Sequence, residues 1–176
     1  GLQAGLIGLI IVSMYLILYY RILGLVAILG LTSFGLLFYS VISLLGEYQG
    51  FTLTLSGIAG IIVSIGLAAD SYIVTFEKFK DEIKIGRSFQ FAADKAATDA
   101  WKTIGTEDFV SLSAAVLLYI LAIGPIRGFA LALGVATIFD LFFTRLYTRN
   151  TVPLVSTFSN SPRVYFPIKM KDLVND

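Results

Sequence analysis

Residues 53–76 read LTLSGIAGIIVSIGLAADSYIVTF, a stretch whose one acidic or basic side chain is Asp70. A helix needs about 20 mostly apolar residues to cross the roughly 30 Å hydrocarbon core of a bilayer, and this stretch supplies them. Outward from it, four further apolar runs read as spans, at 5–20, 22–45, 109–123 and 129–147. The first two are nearly continuous and are parted by Tyr19-Tyr20-Arg21, an aromatic and basic cluster suited to a hairpin at the membrane interface. The run at 109–123 is short; residues 103–108 extend its helix at one end and Gly124-Pro125 stops it at the other. The sequence therefore predicts an all-α membrane protein. A bundle of five transmembrane helices fills residues 1–155, with a cytoplasmic amphipathic connector at 77–102, and a cytoplasmic tail follows at 156–176.

Composition points the same way. The 176 residues are 57% hydrophobic and 14% charged, with a mean hydropathy of +0.85, more apolar than soluble domains usually are. The natural solvent is the lipid bilayer. Thirteen basic and 12 acidic residues leave a net charge of +1, so no global field attracts nucleic acid. With no cysteine and no histidine, the chain lacks disulfides, thiolate nucleophiles, the usual general base and the usual metal ligands. Neither an enzyme nor a resident metal or cofactor is expected.

The basic residues are unevenly placed. Arg21, Lys78, Lys80, Lys84, Arg87, Lys95, Lys102, Arg145, Arg149, Arg163, Lys169 and Lys171 fall on one side of the predicted membrane, and Arg127 alone falls on the other. Positive charge marks the cytoplasmic side, which puts the long connector and the C-terminus inside and, with five spans, the N-terminus outside. Such a start requires an exported segment before it, and the first residue is Gly rather than Met, so a longer protein with an upstream span is expected. The connector alternates charges with Phe79, Ile83, Phe89, Phe91, Ala96 and Trp101 at roughly helical spacing, interrupted at Gly86-Arg87-Ser88. It reads as two short amphipathic helices on the membrane surface, with Ser88 capping the second; they either dock a partner or merely fix topology. The tail, with Pro162 and Pro167, reads as loosely ordered.

An ionisable side chain inside lipid costs several kcal/mol, by disputed amounts, so it needs a partner, water or a task. Asp70 lies about 8 Å to the cytoplasmic side of the middle of its span at 1.5 Å per residue, and so short a side chain cannot reach the interface. At about 100° per residue, Gly57, Gly60, Ser64, Ala68 and Ser71 form a stripe of small residues suited to close helix packing, while Asp70 shares another face with Ala59, Val63 and Gly66. One face packs and the other presents an acid. Asp70 is thus either a switchable proton carrier or a permanently protonated hydrogen-bonding group. Asp140, near the middle of the last span, shares a side with Thr137, Thr144 and Thr148; it either faces Asp70 and shares its proton or is held by its own threonines. Glu107 and Asp108 read as an acidic pair at the N-terminus of the fourth span. Arg127 either lines a proton exit path or anchors its hairpin at head-group level.

Several stretches carry a family likeness: LTLSGIAG at 53–60, Gly66-Leu67-Ala68-Ala69-Asp70, residues 76–82 (FEKFKDE), Gly86-Arg87-Ser88, Ala100-Trp101-Lys102-Thr103, Ser111-Leu112 and Gly128-Phe129-Ala130. Together they resemble the SecD family of bacterial protein-export membrane subunits, over most of the chain up to about residue 155. The resemblance implies the last five of six spans, in the resistance-nodulation-division fold, with a large exported domain upstream. It further implies a SecF-type partner subunit, an association with the SecY translocon, and use of the proton gradient, or sodium in some organisms, to draw a translocating preprotein outward. By the same likeness Asp70 matches the intramembrane acid and Arg127 a basic residue before Gly-Phe-Ala. The sequence departs from the pattern at Ala69-Asp70-Ser71-Tyr72, where many members have Val-Asp-Ala-Asn, and at Glu107-Asp108, where a small residue and Asn are usual. Asp140 has no counterpart in the pattern. Half of a small-molecule or lipid exporter of the same fold is the competing expectation, and a purely scaffolding subunit is a third.

Overall fold

The computed structural model describes residues 2–49, 55–157 and 165–166, and every regular element among them is helical. In chain order these are α1 (Leu2–Gln49), α2 (Leu55–Lys84), α3 (Phe89–Leu121), α4 (Pro125–Phe143), a π-helical turn (Thr144–Thr148) and α5 (Arg149–Ser156). Four helical stretches are long and apolar enough to cross a membrane: Gln3–Leu44, Leu55–Lys84, Phe89–Leu121 and Pro125–Ser156.

The first of them is not straight. Arg21 interrupts α1 with φ 47° and ψ −114°, outside the helical region. Residues far apart in sequence then come together: Gly5, Gly8 and Val12 of the first leg line one apolar cavity of ≈ 420 Å³ with Leu31 and Tyr39 of the second and with Ile58, Ile62 and Gly66 of α2. In an unbroken helix Gly5 and Tyr39 would stand roughly 50 Å apart at 1.5 Å per residue. The reversal is tight enough that a Cβ on Gly24 would lie 2.1 Å from the Leu16 carbonyl oxygen, so only glycine fits there.

The expected connector is helical except for a short turn. Where two separate short helices were predicted between 77 and 102, α2 runs on to Lys84 and α3 begins at Phe89 and continues unbroken to Leu121. No proline or helix-breaking cluster divides either segment, and Phe79, Ile83, Ala92, Ala93 and Ala96 are buried in the same core as the spans. The turn is set by Gly86 at φ 87°, a left-handed position that favours glycine after a helix end, and is crossed by an Arg87–Glu82 ion pair at 2.7 Å. Ser88 does stand at the N-cap of α3, but its side chain makes no capping hydrogen bond; its carbonyl accepts from the Ala92 N–H at 2.8 Å. Pro125 then opens α4 at a position where its missing N–H costs nothing.

The last helix also runs further than its predicted end at 147, through the π-helical turn and α5 to Ser156. Tyr165 and Phe166 correct the loosely ordered tail at those two positions. Both are buried, their rings pack on Phe79, Phe89 and Tyr20, and the Tyr165 hydroxyl donates to the Val155 carbonyl at 2.9 Å. The rest of the tail, 158–164 and 167–176 with Pro162 and Pro167, lies outside the described residues, as do Leu53 and Thr54 of the opening stretch.

Two kinds of packing hold the bundle. The second leg of α1 meets α4 through aromatic rings, Phe34 on Phe143 and Phe38 on Phe139, and α2 meets the π-helical turn through Tyr72 on Tyr147. Helices α2, α3 and α4 instead pack most extensively on one another, through alanine, glycine and serine. Small residues let helix backbones approach where lipid gives no hydrophobic drive to associate.

Candidate functional site: an intramembrane carboxyl layer

The small-residue stripe of α2 sets the site. Gly57, Gly60, Ser64, Ala68 and Ser71 are all buried. A Cβ on Gly60 would stand 2.9 Å from the Ala132 Cβ and 3.0 Å from the Phe129 carbonyl oxygen, so α2 and α4 touch backbone to backbone. At one end the Ser56 hydroxyl donates to the Pro125 carbonyl at 2.5 Å. This closeness fixes the relative depth of the acids. Counted from the end where Leu55, Leu121 and Pro125 lie, Asp70, Asp108 and Asp140 each sit roughly 20–22 Å along their helices. Three helices thus contribute carboxyls to one layer.

Within that layer the Ser71 hydroxyl donates to Asp140 Oδ2 at 2.6 Å, both groups being buried. The alternative in which threonines hold Asp140 is replaced by this bond from α2; the Thr137 hydroxyl donates to the Leu133 carbonyl at 2.9 Å instead. Asp70 is exposed on the surface of this chain, with Ala59, Val63 and Gly66 exposed along the same face. Its carboxyl is not enclosed by its own bundle, as a residue buried in its span would be. The Glu107 carboxyl of α3 lies beside that of Asp70. The hydrogen bond to Asp140 comes from Ser71 and not from Asp70.

Glu107 and Asp108 do not begin a helix. They lie in the interior of α3, so the acidic pair complements no helix N-terminus. Asp108 is 3% exposed and its Oδ2 has no hydrogen-bond partner. The sequence carried a signal for this position: Ala93, Ala97, Ala100, Ile104 and Asp108 recur at three- and four-residue steps, with Ala115 two turns further on, and form the buried face of α3.

Arg127 stands apart from the layer. Its Nε donates to the Ala122 carbonyl at 2.8 Å, closing the end of α3, and its guanidinium lies 6.0 Å from the Tyr119 ring. Along α4 it is roughly 20 Å from Asp140. Among the described residues no three acidic groups converge closely enough to ligate a metal ion.

The family described as protein export membrane protein SecD/SecF, C-terminal, matches residues 1–156. The chain belongs to the SecD/SecF protein-export family. Protein translocase subunit SecD of Mycobacterium tuberculosis (strain ATCC 25618 / H37Rv) is 47% identical over 156 residues, covering 89% of this chain and 27% of that protein. SecD of Streptomyces coelicolor is 42% identical over the same length, with the same coverage. The crystal structure of SecDF from Thermus thermophilus, described as a translocon-associated membrane protein, superposes with a TM-score of 0.81 at 32% identity, over 97% of this chain and 23% of that one. A SecDF structure in a super-membrane-facing form gives 0.82 at 30% identity, over 96% and 22%. The chain therefore corresponds to the C-terminal membrane portion of SecD and spans about a quarter of the length of these relatives.

Proposed function

We propose that this SecD membrane portion is the energy-coupling part of a protein translocase subunit in the bacterial inner membrane. It crosses the bilayer five times, with its N-terminus outside and its C-terminus in the cytoplasm, and uses the proton gradient to assist preprotein export beside SecY. The reversal at Arg21, which makes two legs of α1, supports the count of five. The observation that carries the reading is the position of Asp70: at mid-depth in α2, on a face its own bundle leaves uncovered. An acid so placed changes its surroundings whenever the neighbouring surface changes. Protonation then becomes linked to conformation.

A SecF-type bundle is the surface that covers this face. Exposed apolar side chains continue from Ile62 and Val63 of α2 to Phe109, Val110 and Val116 of α3, and lipid covers what the partner does not. Asp70 and Asp140 carry the proton, and Arg127 stands at the outer end of the path. Sodium is the competing coupling ion. The test is Asp70→Asn in the complete translocase, which removes the titration at nearly constant shape. Export by the variant should no longer respond to an imposed proton gradient; an undiminished response excludes the mechanism, and a response to sodium alone reassigns the ion.

A further inference from the structure

Along α4 and the turn that follows it, Ile138, Phe142, Arg145 and Arg149 recur at four-, three- and four-residue steps with Leu146 beside them, and all five are exposed. The face is apolar along α4 and ends in two guanidinium groups. Arg145 lies roughly 30 Å along its helix from Pro125, and Trp101 roughly 30 Å along α3 from Leu121, at 1.5 Å per residue. The turn joining α3 to α4 stands at one membrane surface and the hydrocarbon core is about 30 Å thick, so both side chains stand at head-group depth at the other. Tryptophan is enriched at that depth.

Other cations at this end are already neutralised. Lys80, Lys84, Arg87 and Lys95 pair with Glu77, Asp81, Glu82 and Asp99 at 2.6–3.8 Å. Arg145 and Arg149 pair with no carboxylate among the described residues. The Arg145 guanidinium instead lies over the Trp101 ring, 5.1 Å from its centroid. Such a contact engages the face of the planar group and leaves its N–H edge free to donate. It also holds Arg145 in place beside Arg149, one turn away. A guanidinium edge suits a phosphate, which can accept two parallel hydrogen bonds from it.

An apolar groove of ≈ 360 Å³ adjoins the pair. It runs between the second leg of α1 and α4, lined by Leu37, Phe139, Phe142, Phe143, Leu146 and Tyr147. Phe142 and Leu146 thus belong both to the groove and to the face that ends at Arg149, and they are 64% and 65% exposed. The apolar surface assigned above to the partner bundle lies on α2 and α3 and shares no residue with this groove.

We propose that Arg145 and Arg149 hold the head group of an anionic phospholipid, with its phosphate between the two guanidinium groups and one acyl chain in the groove at Phe142 and Leu146. The order of groups decides the occupant. A phospholipid places an anion at head-group depth and a hydrocarbon chain directly beneath it, which is the order in which Arg149, Leu146 and Phe142 follow one another along the helix. The unpaired positive charge selects lipids of net negative charge over zwitterionic ones, whose ammonium group meets the same arginines. The site is independent of the ion that the bundle carries.

The test is native mass spectrometry of the full-length protein with its partner subunit, released from micelles containing phosphatidylglycerol or phosphatidylcholine. The parent complex should retain phosphatidylglycerol in preference to phosphatidylcholine. Arg149→Gln alone, which keeps the Trp101 contact, should weaken that retention about fivefold, and adding Arg145→Gln should weaken it about fivefold again. Arg87→Gln and Lys95→Gln remove the same charge from the same end and should leave it unchanged. Millimolar inorganic phosphate should not displace the lipid, because the acyl chain contributes to its hold. Equal weakening by Arg87→Gln and Arg149→Gln reduces the effect to net charge and overturns the site. So does equal retention of the two lipids by the parent, unchanged retention in the double variant, or displacement by phosphate alone.

Discussion

Replacing Gly60 by alanine adds one methyl group where two backbones meet. The new Cβ would lie 2.9 Å from the Ala132 Cβ and 3.0 Å from the Phe129 carbonyl oxygen, and neither neighbour can rotate away. Ordinary contact begins near 3.4 Å, so α2 and α4 must part by several tenths of an ångström along their closest line of approach. Overpacking of this kind costs about 1–3 kcal/mol. Against it stands the better helix propensity of alanine, about 0.5–1 kcal/mol. The net expectation is a loss of about 0.5–2 kcal/mol, a factor of roughly 2–30 in the unfolding equilibrium. Gly105 in α3 has nothing within 4 Å of the same added atom, so Gly105→Ala keeps only the propensity gain and moves stability the other way. Unfolding in mixed micelles, followed by circular dichroism, measures both. Adding Ala132→Gly to Gly60→Ala removes one of the two contacts and should recover part of the loss, as a double-mutant cycle would register. Equal stabilisation by Gly60→Ala and Gly105→Ala would refute the close approach of α2 and α4.

Two further substitutions probe the site and the tail. Ser71→Ala removes the donor to Asp140 Oδ2 and should destabilise the bundle by about 0.6 kcal/mol, the average for hydrogen bonds between membrane helices, and by no more than about 1.7 kcal/mol, in the same unfolding assay. Tyr165→Phe deletes the bond to the Val155 carbonyl but keeps the ring among Phe79, Phe89 and Phe166; it should cost about 1 kcal/mol and speed proteolysis of the tail, whereas Tyr165→Ala should release it altogether.

Much of this fold was legible because the bilayer restricts the alternatives. Helix is one of the few backbone states that satisfies its own polar groups in lipid, so apolar length located the helices and small-residue spacing located the face of α2 turned to α4. The positions of Asp70 and Asp140 followed from the same rule, that an acid in an apolar run is exceptional. Helix ends were harder. Residues 77–102 looked like separate surface helices because their charges broke the apolar pattern, yet charge does not break a helix, and α3 passes through Lys95, Asp99 and Lys102 without interruption. Reading that segment as a connector made Glu107 and Asp108 a helix start and concealed their place in the carboxyl layer. The alanine stripe leading to Asp108 was visible, but the depth at which it crosses Asp140 depends on how α2, α3 and α4 align, which only the tertiary structure gives. Tyr165 and Phe166 lie in a polar stretch whose composition outweighed two aromatic residues.

Proton uptake by vesicles containing the full-length protein and its partner subunit, followed with a pH-sensitive dye under an imposed gradient, tests the central claim most directly. Uptake should fall to the level of empty vesicles in Asp70→Asn. Uptake by Asp70→Asn equal to that of the parent protein would contradict the claim.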